Sequence, residues 1–116
     1  VEIYKKLLAG TDIKIPFKDF PEEHVSSYHI MPILLKDTKT RDLLMIHLRK
    51  NCIQSSSHYP SFQSFSAYKD LIGLNDCPKA QNVCNTELTL PLHPKMKPEN
   101  VELICGLVKR FIESNL

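Results

Sequence analysis

Features that would direct the chain to a membrane or to nucleic acid are missing from its sequence. No apolar run in the 116 residues approaches the ~20 residues that a membrane helix needs. The 15 basic and 13 acidic residues are scattered, without the basic stripe that binding to a phosphate backbone requires. We therefore expect no membrane and no nucleic acid among the partners. A chain of this length and composition is typical of one soluble globular domain.

The four cysteines lack the spacing of a zinc site or a redox dithiol. Cys52, Cys77, Cys84 and Cys105 are widely separated and form no Cys-x-x-Cys pair. Free cysteine is among the most buried residue types, so we expect reduced thiols that are mostly buried as small hydrophobic side chains. Residues 1–6 have none of the features of a secretory signal. These observations favour a reducing, cytoplasmic compartment.

The beginning of the chain lacks the residues that normally start a helix. Residues 1–9 are predicted to be helical and to stop at Gly10, which suits the left-handed cap position. No initiating methionine is present, and no Ser, Thr, Asp or Asn caps the first apolar residue. We therefore expect the chain to be part of a longer protein.

Three longer segments and one short segment are predicted to be strands, and two of the longer ones contain a proline. Pro16 restricts its segment to an edge or an end of a sheet, because proline cannot donate a ladder hydrogen bond. Pro32 favours an edge position or a bulge in a segment that is otherwise rich in strand formers. The predicted strands cover residues 12–17, 26–35 and 52–58, and a short fourth strand is expected near residues 90–94.

Three helices are predicted between and after these strands. Either Thr38 or Thr40 can cap a helix that runs to about Asn51, a residue type that tolerates a left-handed turn. The last helix has Pro98 in its first turn and carries an apolar stripe, formed by Val101, Ile104, Cys105, Val108, Phe111 and Ile112.

The remaining helix is expected to begin near Asp76, with Pro78 at its first position. Its apolar residues at helical spacing extend the predicted helix to Leu88. This order of elements predicts an α/β fold, a two-layer sandwich with helices on one face of a small sheet. Short strands and Pro32 do not suit a long buried parallel sheet, so we expect a mainly antiparallel one. One face of that sheet would be free to dock on another domain.

The polar residues 55–60, Ser-Ser-Ser-His-Tyr-Pro, form the most informative segment for function. Pro60 fixes its own φ and biases Tyr59 towards an extended conformation. His58 and Tyr59 are therefore presented at a defined place, where a predicted strand gives way to a loop. Such a place suits a ligand-facing site.

Several short motifs follow one another along the chain. They are Tyr28-His29, residues 48–54 (Leu-Arg-Lys-Asn-Cys-Ile-Gln), His58-Tyr59-Pro60, residues 65–68 (Phe-Ser-Ala-Tyr), residues 77–80 (Cys-Pro-Lys-Ala) and residues 90–94 (Leu-Pro-Leu-His-Pro). In this order and spacing they resemble the C-terminal small domain of the DegT/StrS-type nucleotide-sugar aminotransferases, and the resemblance covers roughly residues 1–115. These enzymes are similar to fold-type-I aspartate aminotransferases, in which a large domain holds pyridoxal phosphate and two subunits build the active sites.

The resemblance implies transfer of an amino group, usually from glutamate, to a keto carbon of a nucleotide-linked sugar. Residues 1–10 would be the end of an interdomain linking helix and residues 11–116 the small domain. The lysine that binds pyridoxal phosphate and the acidic partner of its pyridine nitrogen belong to the N-terminal large domain, which this chain lacks. We expect this chain alone to bind no cofactor covalently and to be inactive, and the full-length enzyme to be a homodimer.

The resemblance makes His58, Tyr59 and Gln63 the candidate substrate-binding residues, with sugar hydroxyls or phosphate oxygens as their partners. In an alternative interpretation, His58 caps local backbone and Tyr59 packs against the next loop. Many family members have a second histidine where this chain has Gln63, and glycine where it has Cys52. We expect Asn51 to take the positive-φ position instead.

Other histidines and aromatic residues admit structural roles as well as binding roles. A metal site made from His58, His93 and a cysteine is conceivable, although no spacing demands it. His47 is expected on a helix surface and His24 in a polar loop, whereas the sequence does not fix the facing of His29. Four aromatic side chains could stack on a sugar or base, but core or interdomain packing is favoured: Tyr28, Phe62, Phe65 and Tyr68.

Two functional alternatives to the aminotransferase remain. The chain could be a self-sufficient α/β binding or regulatory module that has converged on this pattern. It could also be the small domain of a related sugar dehydratase, in which histidine replaces the cofactor lysine.

Overall fold

The fold consists of helices around a small antiparallel sheet. The computed structural model describes residues 1–17, 19, 21, 23–71 and 77–115. Two 3-10 helices, Phe62–Ser64 and Ser66–Leu71, lie between the second and third α-helices. In the described residues the elements are α1 (Glu2–Leu8), β1 (Met31–Leu34), α2 (Thr38–Lys50), α3 (Pro78–Thr86), β2 (Glu87–Leu90) and α4 (Pro98–Ser114).

The sheet has an apolar face and a polar face. Met31 pairs with Leu90 and Ile33 with Leu88, and each of these four side chains is at most 1% exposed. Because directly opposed residues of antiparallel strands point to the same face, these four side chains form one face in the core. Thr89 and Glu87 alternate with the two leucines of β2, so they belong to the opposite face. The predicted antiparallel α/β sandwich is confirmed.

Pro32 lies at an edge of the sheet, as its chemistry requires. Leu35 N–H donates to Thr86 across the β1–β2 pair, whereas Leu34 N–H donates to Lys14 on the other side of β1. Alternate residues of a strand direct their N–H groups to the same side, so the nitrogen of Pro32 lies on the sparsely paired Lys14 side. The missing N–H therefore costs no bond to β2.

The predicted strands are longer than the observed ones. Residues 12–17 contribute only the bridge from Lys14 to Leu34, because Pro16, the next residue on that side, has no N–H to continue the ladder. Residues 52–58 contribute only the bridge from Ser56 to Thr89. The segment predicted over 26–35 is a strand only over Met31–Leu34, since Tyr28 has φ 49° and turns the backbone before β1.

The caps of α2 differ from those predicted. Asp37, not Thr38 or Thr40, is the N-cap residue, and its carboxylate accepts a hydrogen bond from Thr40 N–H at 2.7 Å. This hydrogen bond lowers the pKa of Asp37. At the other end, Asn51 has φ −99° and Cys52 has φ 59°. The expectation that Asn51 takes the positive-φ position is therefore wrong, because its side chain instead donates to the carbonyl of His47.

The third helix begins with Pro78, as predicted, but ends at Thr86. The predicted start near Asp76 lies outside the described residues. Leu88 belongs to β2 and not to the helix, since the backbone becomes extended at Glu87 with ψ 137°. The following four residues alternate polar and apolar side chains, which is the pattern of a strand.

The predicted apolar stripe of α4 is confirmed and forms much of the core. Five of its six members are buried, and Ile112 packs at the margin of the core. Helix α4 packs against α1 and α2. None of the helices in the described part of the chain is long and apolar enough to span a membrane.

Tyr4 anchors α1 to the segment that follows β2. Its ring is completely buried, and its hydroxyl donates a 2.8 Å hydrogen bond to the carbonyl of Pro91. Burial raises the pKa of Tyr4, because the phenolate would lose its hydration. Gly10 has φ 78°, as predicted for the residue that stops this helix.

The expectation that the cysteines are mostly buried is right only for Cys105. Cys52 and Cys77 are exposed and Cys84 is half-buried, and all four thiols are unbridged. Cys52 is exposed because it occupies the left-handed turn after α2, and Cys77 because it is the N-cap residue of α3.

Replacing Tyr4 with phenylalanine should lower the free energy of unfolding by about 1 kcal/mol, because the Pro91 carbonyl loses its donor. Urea denaturation followed by circular dichroism measures this change. Tyr28→Phe is the matched control, since the Tyr28 side chain is half-exposed, and it should leave the midpoint unchanged. Equal midpoints for Tyr4→Phe and the parent would contradict the role of this hydrogen bond.

Cys105 makes stability depend on alkaline pH. Burial raises the pKa of its thiol from 9.0 to about 11, partly opposed by the charge of Lys109. The unfolded chain therefore releases this proton first, so stability should fall as the pH rises from 9.0 to about 11. Cys105→Ala should reduce the slope by at most about 1.4 kcal/mol per pH unit, measured by urea denaturation at several pH values. The exposed Cys52→Ala variant should keep the parent slope, and an unchanged slope for Cys105→Ala would refute the assignment.

Candidate functional site

Residues 55–60 reach the polar face of the sheet through the bridge at Ser56. Ser56 N–H donates to Thr89 at 3.2 Å, and Thr89 N–H donates to Ser56 at 2.7 Å. The chain then turns, and His58 N–H donates to the Glu87 carboxylate at 2.7 Å. Two residues of β2 therefore fix the backbone on both sides of Ser57. The peptide bond that follows, between His58 and Tyr59, is cis.

The side chains of His58, Thr89 and Glu87 form a closed hydrogen-bonded network. His58 Nδ1 lies 2.9 Å from Thr89 Oγ1, and Thr89 Oγ1 donates to Glu87 Oε1. Glu87 is only 3% exposed and Thr89 7%. A buried carboxylate is costly unless it is hydrogen-bonded, and here each carboxylate oxygen accepts one bond. The network therefore holds the imidazole in one orientation.

Glu87 and Thr89 were not among the candidate residues from the sequence. They are 29 and 31 residues from His58, so no local spacing connects them. The signal that could have found them is the alternation in Glu87-Leu88-Thr89-Leu90, which is typical of a strand with one polar face. The helix predicted to run to Leu88 overlaps this segment, so the strand pattern of Glu87–Leu90 is not identified.

His58 borders an open groove of about 550 Å³ at the end of β2. Its polar wall consists of hydroxyl, amide and imidazole side chains, and Ile53, Leu92 and Met96 form apolar parts of the lining. No Lys, Arg, Asp or Glu is among the described residues that line it. Polar lining side chains besides His58 include His29, Gln54, Ser55, His93 and Asn100.

Tyr59 and Gln63 line a second, smaller cleft. This cleft has a volume of about 310 Å³ and lies between the 3-10 segment and α3. Tyr59 is 70% exposed, and the edge of its ring meets that of His58, with centroids 4.9 Å apart. The structure therefore brings Tyr59 and Gln63 together and places His58 at the neighbouring groove. The 70% exposure of Tyr59 leaves most of its side chain without contact to the next loop, against which the alternative interpretation packs it.

Ser61 connects the Tyr59 cleft to α3. Its hydroxyl donates to Gln81 Oε1 at 3.2 Å and accepts from Gln63 N–H at 3.3 Å. Ser64 Oγ also donates to the carbonyl of Ser61 at 2.7 Å. These bonds fix the first 3-10 turn, on which Gln63 lies.

The four aromatic residues that could stack on a ligand are between 43% and 50% exposed. They do not belong to the core, so that part of the sequence-based expectation is wrong. Phe62 and Tyr68 contact each other edge to face, with centroids 5.8 Å apart.

The other histidines lie apart from the network. His24, His29 and His93 are exposed, whereas His47 is half-buried with its ring 5.5 Å from that of Phe111. In the described residues no group of three or more His, Cys, Asp or Glu side chains is arranged to hold a metal ion.

Comparison with known proteins identifies the family. Residues 1–109 match the model of the DegT/DnrJ/EryC1/StrS aminotransferase family. The chain belongs to this family. The chain is similar to a UDP-4-amino-4,6-dideoxy-N-acetyl-beta-L-altrosamine transaminase of Helicobacter pylori, to which it is 29% identical over 91 residues. A dTDP-4-dehydro-2,3,6-trideoxy-D-glucose 4-aminotransferase of Saccharopolyspora spinosa is 25% identical over 115 residues.

The family resemblance extends to solved structures. A Streptococcus pneumoniae protein described as a sugar aminotransferase, in its PMP form, superposes with a TM-score of 0.87 and 31% identity. The match covers 99% of this chain but 29% of that one. The two transaminases are covered over 24% and 28% of their lengths, and 77% and 97% of this chain takes part. The chain thus spans about a quarter of the length of these DegT/DnrJ/EryC1/StrS relatives.

The two cavities do not fit the cofactor that this aminotransferase family implies. Pyridoxal phosphate needs a lysine that binds it covalently and an acidic partner for its pyridine nitrogen. No Lys, Asp or Glu is among the described residues that line the groove or the Tyr59 cleft. The side chains present are suited to hydrogen bonding with neutral groups.

Replacing Ser61 with alanine should loosen the first 3-10 turn, because the bonds to Gln81 and Gln63 are lost. Amide hydrogen exchange over residues 61–65 should become roughly fivefold faster, as expected for about 1 kcal/mol of local stability. Peptide-level mass spectrometry measures the rate. Ser27→Ala, at an exposed position in another loop, is the control and should not change it. Unchanged exchange in Ser61→Ala would show that these bonds do not fix the turn.

Proposed function

We propose that this chain is the C-terminal small domain of a pyridoxal-phosphate-dependent aminotransferase that acts on a keto nucleotide sugar. The observation that carries the proposal is the family match over residues 1–109, together with a superposition that covers 99% of this chain and 29% of a sugar aminotransferase. Residues 1–10 would be the end of the linking helix and residues 11–116 the small domain. The named relatives act on UDP- and dTDP-linked sugars, which supports a nucleotide sugar as the substrate.

In this proposal the chain forms one wall of the sugar pocket. His58 binds from the groove, and Tyr59 and Gln63 bind from the adjoining cleft. Their imidazole, phenol and amide groups combine donors and acceptors, which suits a substrate with several hydroxyl groups. The exposure of Tyr59 supports this role, because 70% of a large aromatic side chain faces away from the rest of the described protein.

The remaining parts of the enzyme would come from outside this chain. Pyridoxal phosphate, which supplies an electron sink for amino transfer, would be held by an N-terminal large domain, and glutamate would be the amino donor. The half-exposed aromatic side chains near the two cavities support packing against that domain or against the second subunit of a homodimer. Two exposed, unbridged cysteines favour a reducing cytoplasmic location. This chain alone would not be catalytic.

The proposal predicts a selective defect in full-length protein that carries His58→Asn or Tyr59→Phe. The KM for a 4-keto nucleotide sugar should rise about five- to tenfold, because one hydrogen bond to the sugar is lost. The absorbance change of the bound cofactor on adding glutamate alone should keep its rate, since that step involves no sugar. Stopped-flow absorbance and steady-state kinetics measure the two quantities.

His24→Asn is the matched control, because His24 is exposed and lines neither cavity. An equal loss in the glutamate step would contradict a sugar-specific role for His58 and Tyr59. Full-length protein that binds pyridoxal phosphate but lacks a lysine for it, and that dehydrates the sugar, would replace the aminotransferase with the dehydratase. Full-length protein without affinity for pyridoxal phosphate would refute both.

A further inference from the structure

The hydrogen bonds around Glu87 determine which ring nitrogen of His58 carries the proton. Both oxygens of the Glu87 carboxylate accept a hydrogen bond, Oε1 from Thr89 and Oε2 from His58 N–H. The hydroxyl of Thr89 has a single hydrogen, and the bond to Glu87 uses it. Thr89 Oγ1 can therefore only accept in its 2.9 Å contact with His58 Nδ1.

We propose that Glu87 and Thr89 are positioning residues that hold neutral His58 in the tautomer with the proton on Nδ1. Nε2 then carries a lone pair and is the ring nitrogen left for a ligand at the groove. Its hydrogen-bond partner must be a donor. The statement about the tautomer concerns this chain alone, whereas the statement about the ligand rests on the proposed function.

Because Nε2 only accepts, the group that His58 recognises must carry a hydrogen that it can donate. A sugar hydroxyl can donate to this lone pair, but an ionised phosphate oxygen has no hydrogen to donate. The groove supports this assignment, because the described residues that line it include no Lys or Arg to hold a phosphate and no carboxylate. His58 would therefore recognise a hydroxyl of the sugar and not a phosphate of the nucleotide.

Glu87→Gln provides a sharp test because it keeps the shape of the side chain and reverses the donor and acceptor roles along the hydrogen bonds from residue 87 through Thr89 to His58. The amide oxygen must remain opposite His58 N–H, so the amide NH₂ faces Thr89 and donates to it. Thr89 then directs its own hydrogen to His58 Nδ1, which forces the ring proton onto Nε2. The substitution should therefore switch the tautomer.

The measurement is the pair of ¹⁵N shifts of His58 in histidine-labelled full-length protein, at alkaline pH where the ring is neutral. Loss of the signals in His58→Asn assigns them. The parent should show a protonated Nδ1 and an unprotonated Nε2, and Glu87→Gln should show the reverse. Thr89→Val should give a mixture of both tautomers, and Thr89→Ser should restore the parent pattern. Thr86→Val is the matched control, because it removes another buried threonine hydroxyl, which donates to the carbonyl of Asn82.

A parent ring protonated on Nε2, or an unchanged tautomer in Glu87→Gln, would overturn the proposal whatever the enzyme catalyses. A separate kinetic experiment tests the ligand. Glu87→Gln should raise the KM for the keto sugar about fivefold, whereas Thr86→Val should leave this KM unchanged. If Glu87→Gln switches the tautomer but leaves the KM unchanged, the network controls the tautomer, and recognition of a sugar hydroxyl by His58 is refuted. Loss of pyridoxal phosphate binding in parent full-length protein would instead refute the proposed function.

Discussion

The pairing of β1 with β2 in a single register is the constraint on which both the core and the candidate site depend. The register directs Leu88 and Leu90 into the core and Glu87 and Thr89 to the opposite face. Because side chains alternate along a strand, a slip of one residue would exchange these two sets. The carboxylate of Glu87 would then lie among aliphatic side chains without the hydrogen bonds from His58 and Thr89, which is prohibitively unfavourable. The polar face and the apolar face thus both select this register.

A hydrogen bond from Tyr4 to Pro91 connects the core to the groove. Tyr4 is fully buried under the packing of α1 against α4, and its hydroxyl binds the carbonyl of Pro91. Pro91 is the first residue after β2 and also lines the groove. Side chains of α1 and α4 therefore belong to the same core as the apolar face of the sheet, and Tyr4 also fixes the segment that follows β2. The core and the candidate groove therefore share this segment.

The sequence was sufficient where the signal is periodic and local, and insufficient where a contact joins distant segments. The stripe of α4, Pro78 at the start of α3 and Gly10 after α1 depend on neighbouring residues, and the structure has them as predicted. The sequence predicts a threonine cap for α2, whereas the structure has Asp37 as the N-cap residue. Aspartate has the same capping preference and lies one position before Thr38, so the residue types alone do not distinguish the two. The partners of His58 are on β2, about thirty residues away, and only the pairing of Ser56 with Thr89 brings them together.

The described residues that line the groove include no Lys, Arg, Asp or Glu. Arg49 borders an adjoining cavity, which shares residues 52–55 with the groove as a common wall, but it is not among the groove's lining residues. Diphosphate oxygens are bound most strongly by charge-assisted bonds from arginine or lysine. Hydroxyl groups are bound well by neutral donors and acceptors held in fixed directions, and the network of Glu87, Thr89 and His58 fixes such a direction. In the proposed function, the groove would therefore hold the sugar part of the nucleotide sugar, and cations for its phosphates would be supplied elsewhere.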